Sequence, residues 1–230
     1  MTALERLQKR VIACRKCPRL LRHCQKIARE KRRAYREWEY WGRPNPSFGD
    51  PRAELLIIGL APAAHGGNRT GRMFTGDRSG DFLYAALDRG GFANQPISQH
   101  REDGLKLTNA YITAVLRCAP PANKPRPAEL ANCRPYLERE LALLANVRVV
   151  LALGQIAFAN YLRLLKDKGR LRATNAYRFA HGAEYELPSP LPRLFASYHP
   201  SQQNTQTGRL TEAMLDSVLQ RIRRVLSEKS

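Results

Sequence analysis

Five cysteines offer the most specific chemistry in this 230-residue chain. Cys14 and Cys17 form a C-x2-C pair, Cys118 and Cys133 lie far downstream, and Cys24 is left over. A cytoplasmic chain rarely keeps structural disulfides, so the pair suggests metal or redox chemistry. Structural zinc takes four tetrahedral ligands and is often built from two C-x2-C knuckles. Only one knuckle is present here, and four thiolates on dispersed loops equally suit a [4Fe–4S] cluster. Spacing leaves iron–sulfur and zinc open; the plainer alternative is five core cysteines. Pro18 and the Pro120–Pro121 pair fit rigid ligand loops.

The second chemical signal is charge. Lys and Arg number 39 against 20 Asp and Glu, a net charge of +19. That imbalance costs self-repulsion and suits a polyanionic partner, nucleic acid before an anionic membrane. Most of the basic residues are Arg, whose planar fork matches phosphate. They concentrate in residues 22–36 and recur in 163–178. Apolar residues make up 43% of the chain, too many for disorder. No stretch approaches the ~20 apolar residues of a membrane helix. The first residues include Glu5, Arg6, Lys9 and Arg10 and show no signal-peptide apolar run, so the cytoplasm is the expected compartment.

These groups need a scaffold. Residues 2–37 carry apolar positions at roughly helical spacing, with a break at Pro18. Residues 40–52, with three prolines and two glycines, form a connecting loop. Four apolar runs of strand length follow: Glu54–Leu60, Leu105–Leu116, Arg148–Leu153 and Arg193–Tyr198. Helices are expected over Phe82–Arg89, Pro127–Leu144, Gln155–Leu165 and Leu210–Leu226. The alternation indicates an α/β chain with a mainly parallel sheet covered on both faces. Ligands in such sheets bind beyond the carboxyl ends of the strands. Gly59–His65, Gly154 and His199 follow three of the runs, and Asn109 lies within the second. The whole chain reads as one domain, with residues 1–40 as a helical segment carrying two of the cysteines.

Three ordered motifs, GLAPAAHGGNRTGRMFTGD (Gly59–Asp77), LTNAYITAVLRC (Leu107–Cys118) and YHPSQQNTQTGRLT (Tyr198–Thr211), resemble the uracil-DNA glycosylase superfamily. The resemblance is nearest to its type B, or family-5, branch and covers about residues 10–225. It implies a three-layer α/β/α fold, a structural [4Fe–4S] cluster on Cys14, Cys17, Cys118 and Cys133, and monofunctional excision of uracil and other deaminated bases, such as hypoxanthine. Double- and single-stranded DNA are the implied partners, and a monomer working on the nucleoid is expected.

Hydrolysis of a deoxyuridine N-glycosidic bond produces an oxocarbenium-like sugar and a uracil anion, and the nucleotide must first leave the stack. Within the resemblance, Phe74 is the stacking platform. Asn109 is the reader, its amide pairing with uracil N3–H and O4, and it is also a candidate for a share in the chemistry. His199 donates to uracil O2 as charge develops there. Gly59, Ala61 and Ala63 line the base pocket. Ala61 stands where classical members carry a carboxylate or Asn to orient water, and Ala63 where selective members carry an aromatic that excludes thymine, which implies a roomier pocket. Gly66 and Gly67 let backbone approach the strand. Arg69 and Arg72 are expected phosphate contacts. Ser201, Gln202, Gln203 and Arg209 belong to the loop that fills the gap left by the flipped base. Asp77 and Asp81 are the nearby carboxylates, read first as helix N-caps. Cys24 is read as structural. The competing reading is a noncatalytic iron–sulfur or zinc DNA-binding protein.

Overall fold

The computed structural model describes residues 1–228. Two helices, α1 (Ala3–Ile12) and α2 (Pro18–Glu30), precede the sheet. Thr2 and Glu5 close a capping box at the start of α1, and Pro18 occupies the first turn of α2. The expected helix over 2–37 is therefore two helices and a 3-10 turn at Arg33–Tyr35. Proline is tolerated at a helix start and cannot continue one, which puts the interruption ahead of Pro18.

The sheet contains β1 (Phe48–Gly49), β2 (Leu55–Gly59), β3 (Ala110–Ala114), β4 (Val149–Leu153), β5 (Glu184–Tyr185) and β6 (Arg193–Ser197). Their spatial order is β1-β3-β2-β4-β6-β5. The four central strands are parallel, and the two-residue edge strands are antiparallel. Every residue of β2, β3 and β4 is buried, as strands covered on both faces require.

The remaining helices are α3 (Gly67–Thr70), α4 (Arg78–Arg89), α5 (Pro127–Leu143), α6 (Gln155–Asp167), α7 (Gln202–Gln206) and α8 (Glu212–Ser227). Alternation along the strands sorts the core into two faces. Leu55, Ile57, Ile112 and Leu151 pack with Leu83 and Leu87 of α4 and Leu215 and Ile222 of α8. Leu56, Ile58, Val150 and Leu194 face the other way, against Leu137 of α5 and Phe158 and Leu162 of α6. This is the expected three-layer α/β/α arrangement. None of the described helices is long and apolar enough to cross a membrane.

The expected run Leu105–Leu116 is divided. Leu107 makes an isolated bridge to Ala93, the chain turns at Asn109 with φ +54°, and only Ala110–Ala114 joins the sheet. β3 runs parallel to β2, pairing Ala110 with Leu55 and Ala114 with Gly59. Asn109 thus stands where β3 enters the sheet, and Gly59 where β2 leaves it.

Candidate active site and cysteine centre

The carboxyl ends of β2, β4 and β6 converge on one small cluster of groups. Gly59 ends β2, and a side chain there would meet the Phe74 ring, its Cβ 2.8 Å from Cζ. The missing side chain lets the aromatic ring lie over the strand end. The other neighbour of Phe74 is His199, just beyond β6, with ring centroids 5.6 Å apart and planes at 30°. That separation lies within the ~4.5–7 Å range of offset aromatic pairs. Gly154, directly after β4 with φ +92°, leaves room for His199, whose Cβ would lie 3.4 Å from a Cβ at that position.

Phe74 holds a left-handed backbone, φ +51°, which costs an aromatic residue on the order of 1–3 kcal/mol. The surrounding loop compensates. The Tyr84 hydroxyl donates to the Met73 carbonyl at 2.9 Å. Gly80 at the start of α4 packs so tightly on the Phe74 carbonyl that any side chain would collide with it. Arg69 donates to the Gly76 carbonyl at 2.6 Å and to the His65 carbonyl at 2.8 Å. A strained aromatic held by three separate tethers is a preorganised one.

His199 is held by its backbone: Asn204 Nδ2 donates to its carbonyl at 2.8 Å. Burial pushes its pKa down to about 4, so the imidazole is neutral at neutral pH. Ala61 and Ala63 are half-buried on the same loop, and Ala61 packs against the Cys118–Ala119 region. Asp77 caps α4 by accepting from Gly80 N at 3.0 Å. The residue is more than a cap: its carboxylate fills the space beside Gly66, where any side chain would collide with it, and burial pushes its pKa up. Asp81 lies in the first turn of α4 and is not the cap.

Four expectations require correction. Asn109 is at the opposite end of the sheet from Phe74 and His199. Its amide accepts from Glu54 N at 2.8 Å and donates to Glu54 Oε2 at 2.8 Å, so it ties the β2 and β3 entrances together and reads no base. Arg69 is 3% exposed, its guanidinium lying 3.8 Å from the Tyr35 ring centroid and 4.1 Å from that of Trp38. Arg72 is buried too and forms a two-pronged pair with Asp103, at 2.9 and 2.6 Å. Both guanidiniums are turned into the interior, so neither is presented to an approaching phosphate. Gly66 and Gly67 are buried as well, and the lack of a side chain serves Asp77, Pro62 and Asn45 within the loop instead of an approaching strand. The loop after His199 is open to solvent: Ser201 caps α7, while Gln202, Gln203 and Arg209 are exposed, with Arg209 4.6 Å over the Tyr198 ring.

The cysteine centre is built across the chain. Cys14 and Cys17 from the α1–α2 turn, Cys118 beyond β3 and Cys133 of α5 line one small cavity together with Leu20, Leu116 and Arg117. Among the described residues no three His, Cys, Asp or Glu side chains converge closely enough for a single ion. Asn132 Nδ2 lies 3.6 Å from Cys17 Sγ. Burial, reinforced by the neighbouring thiols, raises the Cys133 pKa to about 11. Cys24 is fully buried and its thiol points to the Ala119 carbonyl at 3.7 Å, outside the cavity lining.

Beside the cavity, Arg117 is nearly inaccessible and paired with Glu140, which also accepts from Ser47, Thr113 and Gln8. The network joins α1, the loop before β1, β3 and α5. Gly154 is visible in the sequence as the glycine after an apolar run, whereas Asn204, Arg117, Tyr35 and Trp38 are not. Arg117, Tyr35 and Trp38 act through contacts between segments distant in the chain.

Residues 46–223 match the uracil DNA glycosylase superfamily. Over 216 residues the chain is 50% identical to the type-5 uracil-DNA glycosylase of Mycobacterium tuberculosis, covering 94% of this chain and 79% of that protein. The type-5 enzyme of Thermus thermophilus is 51% identical over 213 residues, covering 93% and 94%. That of Pyrobaculum aerophilum is 44% identical over 212 residues, covering 92% and 88%.

Proposed function

Because this chain belongs to the uracil DNA glycosylase superfamily, we propose that it excises uracil from DNA by hydrolysing the N-glycosidic bond, and takes other deaminated bases, hypoxanthine among them. The carrying observation is the pairing of Phe74 with a neutral, buried His199 at the carboxyl ends of the strands. Phe74 supplies a rigid apolar face for a flipped base. The His199 imidazole, neutral and free of other hydrogen bonds among the described residues, donates to the uracil oxygen on which charge develops. A fixed donor in a dry site lowers the barrier by a few kcal/mol, roughly a hundredfold or more in rate.

The water must be oriented by a residue other than Ala61. Asp77 is the carboxylate in this loop, and burial makes it a stronger base than an exposed aspartate. It is our assignment for that step. With alanine at 61 and 63, no aromatic side chain at those positions restricts the pocket, which supports a broader substrate range.

Cys14, Cys17, Cys118 and Cys133 hold a structural [4Fe–4S] cluster in this reading. Four thiols around a shared cavity suit a polynuclear centre better than one zinc ion, which needs all four sulfurs within ~2.3 Å of a single point. The cluster supplies a cross-link between α1–α2, β3 and α5 and takes no part in bond breaking.

The test is a single-turnover assay without added metal on duplexes carrying uracil, hypoxanthine or thymine. Base release from the first two is expected, with a loss of about a hundredfold or more in His199→Ala and a large loss in Asp77→Asn. Full rate in His199→Ala overturns the mechanism. Binding without release by the wild-type chain overturns the excision reading in favour of a noncatalytic DNA-binding protein.

A further inference from the structure

We propose that the exposed arginines of residues 29–36 form the phosphate-binding track of this protein, clamped to the catalytic loop by Arg69. The inference rests on the excision reading for the identity of the ligand, the sugar-phosphate backbone of the substrate DNA.

The burial of Arg69 and Arg72 creates the question. A protein of net charge +19 whose loop arginines are both committed internally must present its charge to DNA from other residues. Residues 29–43 carry six basic side chains against three acidic ones. Arg29, Arg32, Arg33 and Arg36 are solvent-exposed, and none forms an ion pair among the described residues. Exposed charges without intramolecular partners have no ion pair to give up when they turn toward phosphate.

Charge alone would not place this segment at the active site; the tethers do. The Tyr35 and Trp38 rings both pack on the Arg69 guanidinium, and Arg69 in turn holds the carbonyls of His65 and Gly76. Gly76 is two residues from Phe74. The Tyr40 hydroxyl lies 3.1 Å from His65 Nδ1 and 3.4 Å from Arg32 N. The positive charges of Arg32 and Arg69 contribute to the lowered pKa of His65, after burial. Trp41 N and Gly42 N donate to the carbonyls of Arg69 and Asn68 at 2.8 and 3.0 Å. The strap is thus fastened to both arms of the loop that presents Ala61, Ala63 and Phe74. Arg69 Nη1, buried without a partner, is consistent with a residue selected for packing on aromatics and not for full hydrogen bonding. A strand whose base has entered the pocket leaves its flanking phosphates beside this loop, within reach of long arginine side chains.

The experiment compares the triple variant Arg32→Ala/Arg33→Ala/Arg36→Ala with Lys166→Ala/Arg170→Ala/Arg172→Ala, whose exposed basic residues lie at and beyond the far end of α6. Binding of undamaged duplex is measured across salt concentrations, and single-turnover uracil release at saturating enzyme. The strap variant is expected to bind more weakly, its log–log salt slope reduced by roughly 0.9 for each phosphate it no longer neutralises, with its circular dichroism unchanged. The α6 variant is expected to keep the wild-type slope, and lysine replacements in the strap to restore it. An unchanged slope in the strap variant, or an equal fall in both variants, overturns the proposal. A wild-type chain that shows the strap-dependent slope and releases no uracil leaves the track standing and removes the excision reading.

Discussion

The Arg117 guanidinium and the Glu140 carboxylate form an ion pair with almost no access to solvent, beside the cavity that the four cysteines line. Removing one partner strands the other charge in the interior, at a cost of about 3–5 kcal/mol. Arg117→Met and Glu140→Gln are each expected to destabilise the chain by that amount in denaturant unfolding. The double variant should recover part of the deficit, because it leaves no uncompensated charge. Strict additivity of the two single variants would show that the pair does not act as a unit.

The cysteines separate into two classes by position. Replacing Cys17 or Cys118 by Ala is expected to abolish the broad absorption near ~400 nm and the iron content of roughly four per chain expected of a four-cysteine cluster. Cys24→Ala should keep both. Because Cys24 is fully buried, that variant loses a little stability through a cavity of about one sulfur atom. A colourless, zinc-loaded, fully active wild-type protein contradicts the assignment.

His199 makes a prediction about pH. Its folded-state pKa is about 4, below the ordinary value of 6.5, because burial disfavours the imidazolium. The neutral donor therefore persists through mild acid, and the rate of base release should not titrate near 6.5 on account of this residue. Between 6.5 and about 4 the unfolded chain binds the proton that the folded chain refuses, so stability falls as pH falls through that window. His199→Gln should show a shallower acid loss of stability in thermal unfolding followed across about pH 4–7. An equal acid loss in both proteins would place the titrating group elsewhere.

Asn109 should behave as a structural residue. Asn109→Ala removes two hydrogen bonds to Glu54 and puts alanine into a left-handed backbone, a combined cost of about 2–4 kcal/mol. Asn109→Gly relieves only the backbone cost. Both should release uracil at the wild-type single-turnover rate below their melting temperatures. A selective collapse of rate in a folded Asn109→Gly protein would return the residue to the active site.

The contrast between His199 and Asn109 marks what the sequence discloses. The apolar runs over β2, β4 and β6 are long enough, and bounded sharply enough by Gly or Pro, to be located within a residue or two. Residues following such runs, like His199, are therefore placed at the carboxyl edge correctly. Asn109 sits inside a longer apolar run in which Leu105 and Leu107 pack against the core without joining β3. Periodicity gives no sign of where pairing begins, and an error of a few residues moves the side chain to the other end of the sheet. Arg69 and Arg72 fail for a related reason. Arginine in a glycine-rich loop suggests phosphate, but the partners that hold these two inside, Tyr35 and Trp38 on Arg69 and Asp103 on Arg72, lie some 30 residues away in sequence. Cys14 and Cys17 stand out by type and spacing, and the structure brings them to one cavity with Cys118 and Cys133.

The separation of those cysteines has a consequence during synthesis. Cys14 and Cys17 leave the ribosome about a hundred residues before Cys118, at ~5–20 residues per second several seconds earlier. Gln8 likewise waits for Tyr111 and Glu140, and Arg19 for Glu129. α1 and α2 therefore have no completed surface to dock on until α5 has been made, and their apolar faces travel uncovered meanwhile. The amino-terminal helices, though made first, settle only after α5, more than a hundred residues later.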